Sequence, residues 1–233
     1  YQKEEGYPIG TPLMWTNTGY FSNYEEIQTS PSQLGIHGGL PSNVEVVPGD
    51  LKFLDFNNDG VINQDDAYRQ GYGTVPELQF GLSLGANYKA FDFNMLFQGS
   101  SHSLFMKNWE IMWAFSNNDN VFEKHNYYWA PEIAADAQFT RFYGKTWINN
   151  ERYYSTYEAG SGTYVRLKNI ELGYTLPRNL TEKEYMNNVR IYLSSNNTFM
   201  WSVEKYLDPD NRDNRGGKMP PTRAFNIGLN AIF

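Results

Sequence analysis

Strict alternation of apolar and polar residues from Glu77 to Tyr88 limits what this chain can fold into. Every even-numbered position of the run is apolar or aromatic, and every odd-numbered position is polar or glycine. A period of two residues predicts a β-strand whose two faces differ in polarity. The run has twelve residues, whereas strands of soluble proteins usually have ~5 to 6 and strands that cross a bilayer ~9 to 11. The run therefore favours a membrane-spanning strand.

Four further alternating runs follow, and the connections between them alternate in length. We predict strands at 77–88, 91–101, 163–176, 189–201 and 223–233. The connections contain about two, about 60, about twelve and about 20 residues. Outer-membrane barrels have short periplasmic turns and long extracellular loops, so we expect 102–162 and 202–222 to be extracellular. A secreted, calcium-stabilised β-sandwich that binds glycans, with more evenly spaced turns, is the alternative.

Composition excludes several other classes of protein. The chain is 17% aromatic and has a formal net charge of −7, which argues against a nucleic-acid partner. It contains no Cys, so thiolate metal sites and cysteine nucleophiles are excluded. Its longest apolar run, Ile111 to Phe115, is far shorter than the ~20 residues of a membrane-spanning helix. The three histidines (His37, His102 and His125) lie in different loops without ligand spacing, so we expect no enzyme.

Five strands are too few for a complete membrane barrel. The smallest closed membrane barrel has ~8 strands, and an open sheet edge in lipid leaves unpaired backbone groups that cost several kcal/mol each. Tyr1 to Glu5 also lacks the features of a signal peptide. We therefore expect the C-terminal part of a larger antiparallel barrel, with 1–76 as an extracellular loop region and 77–233 as barrel strands with their loops.

The segment from Asp55 to Asp66 has the spacing of an EF-hand calcium loop. Oxygen-bearing side chains fall at loop positions 1, 3, 5, 9 and 12, Gly60 occupies position 6, and a backbone carbonyl serves at position 7. Ca²⁺ prefers such a set of hard oxygens, so we predict a structural calcium site. A solvated turn without metal is the alternative. The predicted ligands are Asp55, Asn57, Asp59, Val61, Asn63 and Asp66.

The long loop 102–162 is unusually rich in large aromatic rings. Such rings can stack on sugars or peptides at the mouth of a barrel, and they can equally pack a small core within the loop itself. Both interpretations stay open from the sequence. The candidate substrate-binding residues are Trp109, Trp113, Tyr128 and Trp129.

Several motifs follow one another in order along the chain. They are Gly49 to Ile62 (GDLKFLDFNNDGVI), Tyr88 to Asp92 (YKAFD), Tyr128 to Glu132 (YWAPE), Tyr164 to Pro177 (YVRLKNIELGYTLP) and the terminal Phe233. Over roughly residues 10 to 233 this series resembles the C-terminal barrel portion of SusC/RagA-type TonB-linked outer-membrane transporters. Ile133-Ala134 departs from the pair usual in that family, so that loop is expected to turn differently.

The resemblance implies active import across the outer membrane of a Gram-negative cell. It implies a barrel of about 22 strands with a plug inside, outer-membrane lipid around it, a SusD-like lipoprotein lid and a link to TonB through the plug. Typical substrates are oligosaccharides, less often peptides. The C-terminus, ending in an aromatic residue, would be periplasmic. The plug and the rest of the barrel are expected outside this chain.

Overall fold

The computed structural model describes residues 3–33, 36, 45–115, 120–142, 154–181, 186–211, 214–215, 217–219 and 221–233. The strands are β1 (Leu13–Met14), β2 (Asn17–Tyr20), β3 (Leu51–Phe53), β4 (Tyr68–Arg69), β5 (Leu78–Tyr88), β6 (Phe91–Ser101), β7 (Leu104–Met106), β8 (Ala159–Ser161), β9 (Tyr164–Thr175), β10 (Asn188–Ser202) and β11 (Ala224–Ile232). The α-helices are α1 (Tyr24–Thr29) and α2 (Arg178–Thr181), and short 3₁₀ helices lie at Gln64–Asp66, Trp109–Ile111, Glu123–Tyr127 and Ala134–Asp136. None of the helices in these ranges is long and apolar enough to cross a membrane.

The five long strands form one antiparallel sheet in the order β11-β10-β9-β6-β5. Each lies within one residue, at either end, of the strand that the alternation predicts. A two-residue turn joins β5 to β6, and Lys89 in that turn has a φ of +55°. The fold is all-β apart from the short helices, as predicted. Closure into a barrel and the strand number stay predictions.

The register places the apolar side chains of all five strands on one face of the sheet. Reading across, Ala86 lies beside Phe93, Phe93 beside Leu172, Leu172 beside Leu193, and Leu193 beside Ile227. This face is open to solvent in the chain alone: Phe225 is 74% exposed and Ile227 81% exposed. The opposite face carries mostly charged, amide, hydroxyl and glycine residues, with Leu96 as an apolar exception on β6. An apolar face of this extent requires a cover of lipid or protein.

A bulge in β9 keeps the apolar face continuous. Asn169 pairs with Leu96, but the next pair along the ladder is Leu167 with Phe97, so Lys168 is the extra residue. The bulge shifts the phase of alternation, because a single added residue exchanges the two faces of a strand. It explains why β9 alternates regularly only after Lys168. A second irregularity lies at the same level of β10, where Asn197 has a φ of +52°.

The chain divides into two compact units. One comprises Tyr1–Val75, Leu104–Gly160 and Asp213–Lys218, and the other Pro76–Ser103, Ser161–Arg212 and Met219–Phe233. One boundary between the units lies at residues 75 and 76, and the division into 1–76 and 77–233 stays a prediction. Most of the long connection 102–162 and part of 202–222 belong to the first unit. The sheet belongs to the second unit.

The first unit has its own hydrophobic core, built between short strand pairs. β1 pairs with β4, and β2 with β3. The indole Nε1 of Trp15 donates a hydrogen bond to the carbonyl of Asn63 at 2.7 Å, so one buried ring connects the core to the predicted calcium loop. The core residues are Trp15, Ile36, Leu51, Phe53, Ile62 and Ala67.

Candidate functional site

An ion-pair network joins three strands on the polar face of the sheet. Arg190 on β10 donates through Nε to Asp92 on β6 at 2.9 Å, and through Nη2 to Glu171 on β9 at 2.6 Å. Hydrogen bonds between charged partners are stronger than neutral ones, and the planar guanidinium fixes their direction. Gly173 lies beneath this network, and a Cβ there would overlap both the guanidinium and the Asp92 carboxylate. The network therefore stabilises the register of β6, β9 and β10.

A second polar cluster lies at the other end of β9. Arg166 is only 3% exposed, and its Nη2 donates to both carboxylate oxygens of Asp208, at 2.7 and 2.6 Å. The hydroxyl of Tyr164 donates to Asp210 Oδ1 at 2.7 Å. The two carboxylates outnumber the single guanidinium. The cluster thus has a net negative charge, and it holds the segment Asp208 to Asp210 above the polar face.

Beside this cluster is an open cavity of about 550 Å³. Its volume falls within the ~300 to 1,000 Å³ typical of small-molecule sites. Tyr164 and Asp210 line it together with Gln79 of β5, and with Gln98 and Leu96 of β6. Leu96 is the one apolar residue on the otherwise polar face of its strand. The sequence alone does not reveal this site, because its members are spread between Gln79 and Asp210 and only the folded chain brings them together.

The predicted calcium loop is folded around its own carboxylates. Asp55 accepts hydrogen bonds from the backbone N–H groups of Asp59, at 3.2 Å, and Gly60, at 2.8 Å. Gly60 has a φ of +86°, a conformation that favours glycine. Asp66 is fully buried and accepts from the N–H groups of Phe56 and Asn63, both at 2.8 Å. The first and last acidic residues thus close the loop.

The donor set of this loop is compatible with a hard cation. A carboxylate oxygen that accepts one N–H keeps a second lone pair, and Ca²⁺ binds six to eight such oxygens. Within the described residues, however, no three His, Asp or Glu side chains form a group that could hold a metal ion. The hydrogen bonds also organise the loop by themselves. Calcium binding therefore stays a prediction, with the solvated turn as its alternative.

The candidate substrate-binding rings lie within the first unit. Trp113 and Trp129 are each only 8% exposed. Trp109 packs against Trp113 with ring centroids 5.5 Å apart, and Tyr128 stacks on Phe142 at 4.2 Å. Buried rings have no free face for a ligand, so these contacts favour packing within the loop. A role in substrate binding stays a prediction for all four residues.

The two described histidines belong to different units. His102, in the second unit, has its Nδ1 3.4 Å from Glu77 Oε2. His125, in the first unit, is buried with its Nε2 3.3 Å from the carbonyl oxygen of Ile111, and burial lowers the pKa of its imidazole to about 4. His125 is therefore neutral near pH 7 and serves packing. His37 lies outside the described residues.

The chain is similar to known transport proteins, although no family model matches it. It is 29% identical over 204 residues to TonB-dependent receptor P26 of Formosa agariphila and 28% identical over 200 residues to TonB-dependent receptor P3 of the same organism. Each alignment covers 80% of this chain.

Two structures of the RagAB peptide importer share its fold. The structure of the open-open state matches 98% of this chain with a TM-score of 0.66 and 20% sequence identity. The structure of the closed-closed state matches 96% of this chain with a TM-score of 0.64 and 17% sequence identity. The resemblance to SusC/RagA-type TonB-dependent transporters is confirmed.

The resemblance extends over only part of each known transporter. The chain spans 20% and 19% of the two TonB-dependent receptors and 23% of the RagAB chains. The five-stranded sheet and its connections thus correspond to a part of each of these larger proteins. Activity, substrate and partners are properties of whole transporters, and for this chain they are proposals.

Proposed function

We propose that this chain is the C-terminal barrel portion of an outer-membrane importer. The observation that carries the proposal is the pair of opposite faces on the five-stranded sheet. Its apolar face continues across every strand and is exposed, as lipid contact requires. Its polar face carries charged networks suited to a water-filled lumen. The similarity to TonB-dependent receptors supports the same function.

The proposal includes the partners of a transporter of this type. The remaining strands would close the barrel at β5 and β11, the two edges of the sheet. A plug would occupy the lumen and connect to TonB, and a SusD-like lipoprotein would cover the extracellular side. The C-terminus would face the periplasm. RagAB is described as a peptide importer, and the cargo of the present transporter is proposed to be an oligosaccharide or a peptide.

The β-sandwich alternative receives little support from the sheet. A sandwich buries the inner faces of two sheets against each other, yet the other sheets within the described residues have two strands each. Phe225, Ile227 and Leu229 of β11 are all more than 60% exposed. An apolar edge strand of this kind would be an aggregation hazard in a secreted monomer.

Fractionation and uptake in the source cell test the proposal together. The chain in its native context should appear in the outer-membrane fraction and require detergent for extraction. Deleting its gene should reduce uptake of a labelled oligosaccharide or oligopeptide, and restoring the gene should restore uptake. A chain that is soluble without detergent, or a deletion that leaves uptake of both cargo classes unchanged, would contradict the proposal.

A further inference from the structure

We propose that the tip of the connection between β10 and β11 is a latch, which closes over Trp109 and opens during import. The inference rests on the proposed import function and adds a conformational step to it. At the base of the tip, the side-chain amide of Asn211 donates to the carbonyl of Met219 at 3.1 Å, so the tip forms a short loop of its own. The latch comprises Asn214, Arg215, Gly217 and Lys218, which belong with Trp109 to the first unit.

Arg215 fastens the tip to the first residues of the long β6–β9 connection. Its Nε donates to Glu110 Oε2 at 3.0 Å, and its Nη2 donates to Glu110 Oε1. The guanidinium carbon lies 5.1 Å from the centroid of the Trp109 ring, as in a cation–π contact. The backbone N–H of Asn108 also donates to the carbonyl of Asn214 at 2.7 Å. The tip is thus held by an ion pair, a ring contact and a backbone hydrogen bond.

Trp109 has a strained backbone conformation in the closed latch. Its φ is +51°, a value that bulky residues rarely adopt. Such a conformation persists only where neighbouring groups hold it, and it is common in segments that switch between two states. Asn108 supplies one restraint, because its Oδ1 accepts a hydrogen bond from the N–H of Trp109 at 2.8 Å. Arg215 supplies another at the ring, so its release would let the backbone of Trp109 relax and would favour opening.

The latch also has the properties of a contact that can open. The side chain of Arg215 is 51% exposed, and exposed ion pairs contribute little to stability and are screened by salt. A Cβ at Gly217 would meet no atom within 4 Å. Close packing therefore does not require glycine at this position, whereas the backbone freedom of glycine suits a hinge. Opening would uncover the face of the Trp109 ring that lies beneath Arg215.

The mobility of a spin label in the purified full-length transporter tests whether the latch opens. The label is attached to Gly217→Cys, since this chain has no Cys of its own, and any Cys elsewhere in the transporter is replaced by Ser. Glu110→Gln removes the ion pair at nearly constant shape and should raise the ratio of mobile to immobile label about fivefold. Added salt should have the same effect in the parent protein but not in Glu110→Gln. Lys205→Gln, in the same connection but outside the latch, is the matched control and should change nothing.

A disulfide tests whether import requires the opening. Asn108→Cys with Asn214→Cys joins two residues whose backbones are hydrogen-bonded, and oxidation should trap the latch closed. Uptake of a labelled oligosaccharide and of a labelled oligopeptide, the probes of the gene-deletion experiment, should fall about tenfold or more on oxidation and recover on reduction. Each single variant should import equally in both conditions. If the double variant fails to assemble, as judged by heat-dependent mobility on gels, Glu110→Cys with Arg215→Cys, joined by a short bismaleimide, replaces it.

The two experiments give a clear decision. A more mobile label in Glu110→Gln together with blocked uptake in the trapped transporter supports the latch. A label that neither Glu110→Gln nor salt releases, or full uptake although gels show the cross-link to have formed, overturns it. An overturned latch leaves the import function intact as long as deleting the gene still abolishes uptake.

Discussion

Two glycines on the polar face mark where long side chains cross between strands. A Cβ at Gly228 would overlap the ring of Tyr192, and a Cβ at Gly173 would overlap Arg190 and Asp92. Both glycines occupy positions where the alternation alone permits any small or polar residue. The cross-strand register explains why they are glycine, since the neighbouring strand fills the space above them.

Gly173→Ala is expected to destabilise the sheet by about 1 to 3 kcal/mol, the usual cost of adding a methyl group to a packed site. The added Cβ would displace the guanidinium of Arg190 from Asp92. The measurement is the temperature at which the assembled barrel loses its compact mobility on gels. Gly81→Ala is the matched control, because its Cβ would meet nothing closer than 3.8 Å. Equal transition temperatures for the two variants would contradict the role given to Gly173.

The residues of the candidate site were only partly predictable. Asp92, Glu171 and Arg190 occur at polar positions of predicted strands, but nothing in the sequence tells which of them face one another. The cavity residues Gln98 and Asp210 raise the same difficulty, because their proximity depends on strand pairing between distant segments. The calcium-loop residues were found from the sequence because a loop motif has all its members within twelve residues.

At the scale of elements, the alternation of apolar and polar residues predicted the positions of all five long strands, because each strand has one apolar face. The first half of β9 was less regular in sequence, and the bulge at Lys168 explains this. The bulge could not be predicted from the sequence, since a one-residue shift of phase looks like a break in the pattern. Strand length was predictable because turn residues and polar runs bound each strand.

The two faces of β11 should respond differently to charge. Ile227→Arg is expected to cost ~2 to 4 kcal/mol if that position lies near the bilayer midplane. Asn226→Arg, on the polar face one residue away, should cost much less because its guanidinium would remain in water. Assembly yield in outer membranes and resistance to urea in lipid vesicles measure the difference. A larger loss for Asn226→Arg would show that the assigned faces are reversed.

The loop Asp55 to Asp66 is expected to bind Ca²⁺ weakly, in the ~10⁻⁴ to 10⁻³ M range of extracellular calcium modules. Titration calorimetry of the chelator-treated full-length transporter measures this directly. Asp55→Ala and Asp59→Ala should abolish the calcium heat, whereas Asp65→Ala, in the same loop but outside the ligand spacing, should preserve it. Calcium should also slow proteolysis within 50–75. The absence of heat in the unmodified protein would favour the solvated, hydrogen-bonded turn.

At the scale of the whole molecule, the sequence was less informative about the long connections. Residues 102–162 were predicted as an extracellular loop, and the structure assigns 104–160 with 1–75 to one compact unit. The packing of this unit depends on long-range contacts, such as the hydrogen bond that the backbone N–H of Trp15 donates to the carbonyl of Tyr154 at 3.0 Å. Such contacts have no periodic signature in sequence. The sheet has one, which is why its architecture was predicted and the packing of the loops was not.

The antiparallel order of the sheet leads to a test of its orientation in the membrane. Because neighbouring strands run in opposite directions, the β5–β6 turn and the β9–β10 connection lie at one end, and the β6–β9 and β10–β11 connections lie at the other. We expect the end with the long connections to be extracellular. A specific protease site inserted after Lys218 should therefore be cut on intact cells, and the same site inserted after Arg178 only after the outer membrane is permeabilised. Both insertions fall in connections, so both should preserve assembly. Cleavage after Arg178 on intact cells, with Lys218 protected, would reverse the orientation and place the C-terminal Phe233 outside the cell.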